Sequence, residues 1–511
     1  MTRSEPPPQA YSWRWQDRPP ADPVLEALAV NPALPEGLAV RLIRDHGAVA
    51  ADGLAERACL SGAEVAAMLS HPMPWVRAAV GANASVDPVI RLGLLDDPSP
   101  AVRVTMLNQR ELPLPESALI QLVRHLEQIF AARLMTSAEL QGELHAEACR
   151  DRRLMPLLAR HPDERFRLIS CGFAQAMEEA DRQALLHDPS AAVRVAAARH
   201  LAEWTRLRTS ADLRAATGRA RISLLTRPLS AELIDEVLAT GDEQDLTGLA
   251  LNPSLPADAV DALVTASSAE VRRYAARRAD LSNAQAVRLG ADPDPAVRTT
   301  ASVHAALTDA QRAAIDVDPT ALLDPGQREF TWMPVLPDWL PPRQPTAAAA
   351  GSPNVLLRRW AAQNPGLPEN LAGALADDPD EGVRVLLALH HPAAPPDLLL
   401  RVYLDHRRWV RGRLLERPRF PTTGLARFAA HPDPDIRRLV ARDPQADPAT
   451  VQGLLTDPDP TVRTAMAGCP RLPPSQIVAL LENPELNTAA AANPALPTTA
   501  MERLLTTRHK P

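Results

Sequence analysis

Apolar residues along much of this chain come in short bursts at helical spacing, punctuated by prolines. In LPADAVDALV, Val260, Leu263 and Val264 fall on one face of a helix, and Pro256 occupies the first turn, where a missing N–H costs nothing. In DPDPAVRTTAS, Asp292 is the expected N-cap, with Pro293 just inside the start. The next N-P pair joins a turn residue to one that cannot continue a helix. The pattern predicts pairs of helices of about two to three turns, too short to be stable alone and so obliged to stack.

The bursts repeat. DPDPAVR from Asp292 recurs as DPSPAVR from Asp97, DPDEGVR from Asp378, HPDPDIR from His431 and DPDPTVR from Asp457. DPSAAVR from Asp188 and HPDERFR from His161 are looser copies. The motif arginine falls at Arg77, Arg103, Arg167, Arg194, Arg272, Arg298, Arg384, Arg411, Arg437 and Arg463, with successive gaps of 26 or 27 residues in six places. A second mark interleaves: NPALP from Asn31, NPSLP from Asn252, NPGLP from Asn364, CPRLP from Cys469 and NPALP from Asn493, with degenerate forms at His391, Arg417 and Asp443. A period of 26 with two proline stops predicts an all-α solenoid of short helix pairs.

Six residues separate Asp from Arg within the motif, as in Asp97–Arg103, Asp188–Arg194, Asp292–Arg298, Asp378–Arg384 and Asp457–Arg463. Aligned along a stack, they form either a structural ladder of ion pairs and caps or a basic stripe for an anion; the structural ladder is the reading adopted. His71, His161 and His431 replace the Asp in three copies and read as caps, since they lie in separate repeats.

The N-P-x-L-P, L-x-x-L-L and D-P-x-P-x-V-R motifs resemble those of the leucine-rich repeat variant family of bacterial proteins, which is akin to HEAT-type repeats. The resemblance covers about residues 24–110, 160–200, 245–310 and 355–508. It implies alternating α and 3-10 helices wound into a right-handed superhelix. Some members of that family carry an iron–sulfur cluster on a cysteine-rich amino-terminal segment. Residues 1–58 here contain no cysteine, so no cluster is expected.

These marks divide the chain into a tail or cap over 1–22, an array over 23–315 with irregular stretches at 119–160 and 200–245, a Pro/Trp-rich loop or hinge over 316–353, and a second array over 354–511. The irregular stretches read as drifted repeats. Trp332 and Trp339 lie in the loop; Arg206, Arg208, Arg219 and Arg221 form a basic cluster. Trp75 and Trp409 share one repeat position, just before Val-Arg, where other copies carry Ala101, Ala296, Gly382, Asp435 or Thr461. A position so tolerant is expected to face solvent, which makes its tryptophans candidate binding anchors.

Composition narrows the function. The net charge is −7, and Lys510 is the only lysine, so positive charge here is almost wholly arginine. An acidic balance disfavours a dedicated nucleic-acid binder. Four dispersed cysteines, Cys59, Cys149, Cys171 and Cys469, give no disulfide framework or zinc signature. No apolar run reaches the roughly 18 residues a bilayer crossing takes, and the amino terminus lacks a secretory pattern, so a cytoplasmic location is expected. No phosphate-loop, dinucleotide, nucleophile-elbow or H-E-x-x-H motif occurs. The reading is a non-catalytic scaffold for a protein or peptide partner, with no cofactor or metal. Alternatives are a nucleic-acid protein similar to the HEAT-like DNA glycosylases, and an enzyme-accessory or cofactor-handling protein similar to the HEAT-like phycobilin lyases.

Overall fold

The computed structural model describes residues 18–99, 102–103, 106, 116–131, 136–323, 347–406 and 409–508. Every regular element among them is an α- or 3-10 helix, and the only β pairing is an isolated bridge between Arg208 and Leu229. The chain is all-α. None of these helices is long and apolar enough to cross a membrane. Two compact units emerge, one from Met1–Val193 with Thr422–Pro511 and one from Arg194–Pro421. The second unit is thus an insertion in the sequence of the first.

Most helices have the predicted length, as in Ala257–Val264 and Pro295–Ala301. Their starts differ in register from the sequence reading. The cap is the second aspartate of D-P-D-P: Asp294 accepts the N–H groups of Ala296 and Val297, and Pro295 is the first helical residue. Asp380, Asp433 and Asp459 cap in the same way. Asp292 instead closes the turn before the helix, accepting the Asp294 N–H at 2.9 Å. A carboxylate two residues too early cannot reach the first free N–H groups of the helix, which is why the expected cap moves.

Longer helices appear where proline is missing. No proline separates Pro35 from Pro72, and Glu36–Glu56 runs for 21 residues instead of breaking into a pair. Glu116–Ala131 and Ser137–Arg150 occupy the irregular stretch at 119–160. The long Glu36–Glu56 helix lies so close to Pro23–Val30 that a Cβ on Gly53 would meet the Glu26 carbonyl oxygen at 2.2 Å.

A recurring side-chain bond joins successive repeats. Asn83 donates to the carbonyls of Leu54 and Arg57, Asn252 to those of Leu225 and Arg227, and Asn493 to those of Ala467 and Cys469, all at 2.7–3.1 Å. Arg57 and Arg278 take the same place with a guanidinium, and His304 and His391 with an imidazole. Each of these side chains is buried and reaches backward to carbonyls that the preceding helix end leaves open.

In the first unit this column continues through the chain termini. Asn31 donates to Ala491 and Asn493, both at 2.8 Å, just as Asn493 donates to the repeat before it. His46 Nε2 lies 2.9 Å from the Leu505 carbonyl, and Arg508 grips the Asp22 carboxylate with both contacts at 2.5–2.6 Å. Val24 and Ala27 pack on Ala491, and one hydrophobic core runs from Leu25–Met106 into Val440–Leu505. The amino-terminal repeat therefore stacks on the carboxy-terminal one as its next member.

In the second unit the ends of the 316–353 stretch are anchored. Thr299 Oγ1 donates to the Asp318 carbonyl and accepts the Asp318 N–H, and Asn354 donates to the Ser302 carbonyl. Residues 1–17 of the tail, and Trp332 and Trp339, lie outside the described residues.

Candidate interaction surface

Several of the arginines in these repeats are internal connectors that do two things at once. Arg272 hydrogen-bonds the Asp292 carboxylate of the next repeat with Nε (2.7 Å) and Nη2 (2.9 Å), while its Nη1 donates to Ala266 and Ser267 carbonyls of its own turn. The pairs Arg77–Asp97, Arg167–Asp188, Arg358–Asp378 and Arg437–Asp457 share this geometry. The pairing expected from sequence, six residues apart within one motif, is corrected: Arg103, Arg298, Arg384 and Arg463 meet the backbone carbonyls of Asp97, Asp292, Asp378 and Asp457, not their carboxylates. Arg194 stands on an exposed turn of its helix, six residues after Asp188. The carboxylate already faces the previous repeat, 20 or 21 residues back.

Burial alone would push the Asp292 carboxyl up; the Arg272 hydrogen bond, the Asp294 N–H and nearby positive charge hold it below the usual aspartate range. Asp97 shows the same balance. His71, His161 and His431 take over the turn-closing half of the role, their Nδ1 accepting the N–H of Met73, Asp163 and Asp433.

The two equivalent tryptophans have opposite fates. Trp75 is 8% exposed, packed in the core with its indole N–H on the Ala48 carbonyl at 3.1 Å. The expectation that it faces solvent is corrected: the extended helix Glu36–Glu56 reaches over it. At Gly382 the same position is filled by the Arg359 guanidinium, which a Cβ would strike at 2.4 Å and which binds Asp380. Trp409 is 49% exposed, as expected.

The basic cluster at 206–221 is also matched internally. Arg206 binds Asp212 at 2.9 and 3.0 Å, buried Arg208 binds Glu203, and Arg221 binds Asp245 with both contacts at 2.5 Å while donating to the Leu213 carbonyl. Nothing is described of the Arg219 side chain. What projects nearby is apolar: Trp204 lies under the Arg227 guanidinium at 4.2 Å, and Leu207 is exposed.

A different basic locus was missed by the motif search. From Arg407 to Arg419 the sequence RRWVRGRLLERPR holds six arginines against one glutamate. That density in an acidic chain was the available signal; it was masked because Arg411 was read as one more motif arginine. Helix Trp409–Leu415 buries Val410, Arg411 and Leu414 and exposes Trp409, Gly412 and Arg413. Among the described residues neither Arg413 nor Arg417 has a carboxylate partner. Burial lowers the His390 imidazole and the Arg417 guanidinium from their ordinary values, and Arg413 adds to both shifts.

In the first unit, a cavity of about 580 Å³ has an apolar floor of Ile120, Val123 and Leu157. Of its arginines, Arg153 and Arg160 are held by Asp151 and Asp181, and exposed Arg124 with Glu116 and Glu127 completes a lining of mixed charge. Among the described residues no three His, Cys, Asp or Glu side chains are grouped to hold a metal ion. No protein-family profile matches the chain, and no curated protein matches it.

Proposed function

We propose that this chain is a non-catalytic protein-interaction scaffold: a right-handed solenoid of helix pairs with a period of about 26 residues, built like the leucine-rich repeat variant proteins and working in the cytoplasm. The repeated Asn-to-carbonyl and Arg-to-Asp bonds support the repeat reading. One observation carries the functional reading. The motif arginines turn onto carboxylates and carbonyls of their own stack, and the projecting groups include the apolar side chains of Trp204, Leu207 and Trp409. A surface that binds nucleic acid draws its affinity from phosphate contacts made by Lys and Arg free to make them. Exposed tryptophan is characteristic of protein contacts.

The test is affinity capture with the full-length chain from cells of its source, followed by reconstitution with the purified candidate. Saturable binding of one defined protein is the expected result. Enrichment of nucleic acid alone, abolished by nuclease, overturns the scaffold reading in favour of the nucleic-acid alternative.

A further inference from the structure

Helix Trp409–Leu415 differs from the other motif helices in what it shows to solvent. Trp409, Gly412, Arg413 and Glu416 follow one another at helical spacing and are all exposed. A Cβ on Gly412 would meet nothing within 4 Å apart from its chain neighbours, so no other element packs on the helix there. Arg417, half-buried one turn beyond Arg413, and His390 at the end of helix Glu381–His390 sit within electrostatic reach of Arg413. Among the described residues, Arg413 and Arg417 lack the carboxylate that holds Arg272, Arg358 and Arg437. The result is an aromatic plate beside two guanidiniums that, among the described residues, have no ion-pair partner and share the face with one carboxylate, Glu416, on a chain whose total charge is −7.

We propose that this face docks an acidic stretch of polypeptide, with Arg413 and Arg417 taking its carboxylates and Trp409 covering an adjoining apolar side chain. The inference rests on the scaffold reading and names the partner's chemistry. Guanidinium and carboxylate match in a planar two-point contact, and an exposed indole supplies contact area at small entropic cost. The acidic remainder of the chain repels a long polyanion, whereas a short acidic segment meets only the positive locus. This separates a peptide from a nucleic acid, which needs phosphate contacts along a continuous positive track.

The test uses the full-length chain and fluorescence anisotropy with three labelled probes: a twelve-residue Glu/Asp-rich peptide with one central Leu, its Lys-rich counterpart, and oligo-dT of similar length. The acidic peptide is expected to bind best. Its affinity is expected to fall about tenfold or more with Arg413→Glu and several-fold with Trp409→Ala. Arg413→Gln should give an intermediate loss, and Arg503→Glu, at an exposed position on a different helix, should give none. Equal binding of the acidic and basic peptides, tighter binding of oligo-dT, or unchanged affinity in Arg413→Glu overturns the proposal. A protein partner that binds wild type and Arg413→Glu alike leaves the scaffold reading standing and removes this face. Preference for oligo-dT, together with nucleic acid as the sole captured species, removes both.

Discussion

Arg272 and Asp292 belong to neighbouring repeats, and the guanidinium of the first holds the carboxylate of the second by two hydrogen bonds while also tying down its own turn. Both side chains are largely buried, so removing one leaves the other without its partner in a poorly solvated place. Arg272→Ala is expected to destabilise the second unit by about 2–4 kcal/mol, a range reduced slightly for residual exposure. Arg272→Lys should lose nearly as much, because an ammonium cannot span the carboxylate and the carbonyls together. Urea midpoints measure both; a change under about 0.5 kcal/mol, typical of a surface pair, would contradict the linking role.

His304 should make stability depend on pH near neutrality. Its Nε2 donates to the Arg278 carbonyl and its Nδ1 accepts the Ala306 N–H, an arrangement only the neutral ring can make. Burial lowers its ionisation below the usual histidine value, against the Arg278 hydrogen bond and the charge of Asp280, with Arg312 adding to the lowering. A depressed folded value means that the contribution is full above the unfolded value of about 6.5 and is lost as pH falls from there through the folded value. His304→Asn, which keeps the bond to Arg278 without a titrating ring, should flatten the fall in melting temperature between about pH 8 and pH 5. A slope equal to wild type would exclude His304 as a source.

Gly53 and Gly37 lie in one helix and should respond in opposite directions. Gly53→Ala drives a methyl into the Glu26 backbone, where no flexible side chain can yield, and should cost about 1–3 kcal/mol. Gly37 has open space and should tolerate Ala with a gain of up to about 1 kcal/mol. Thermal melts of the two variants settle the sign of each.

Thiol reactivity should split evenly. Cys59 and Cys149 are exposed, whereas Cys171 and Cys469 are buried. Burial, with the charge of Asp188, pushes the Cys171 thiol up to about 11, and burial raises Cys469 as well. A disulfide reagent at pH 8 should modify two thiols promptly and the other two only after denaturation. Prompt modification of Cys171 would contradict its burial against the Arg167 and Val193 carbonyls.

The all-α class and most helix lengths were legible in the sequence because proline spacing sets them directly. Asp292 and Asp294 show the limit: both precede a proline, and only backbone geometry decides which caps the helix and which closes the turn. The partner of each motif arginine was hidden for a similar reason, since sequence displays the aspartate six residues back more readily than the one 20 ahead. Trp75 was misplaced because its cover, the Glu36–Glu56 helix, arises from a missing proline upstream and not from anything at Trp75 itself. Trp409 was legible, but the charge that makes its face distinctive was absorbed into the repeat pattern.

The bond from Asn31 to Asn493 has a bearing on synthesis. The repeat at Asn31 finds its stacking partner only when the one at Asn493 follows, after all of Arg194–Pro421 has been made. Until then Val24 and Ala27 lack the Ala491 surface that they cover in the finished protein, and Asp22 lacks Arg508. Folding of the first unit therefore waits on the segment from Thr422 onward, and loss of the repeat at Asn493 leaves a flaw at Pro23–Val30. In a stack of repeats, whose open faces ordinarily need a cap against water, each of these two repeats covers the other.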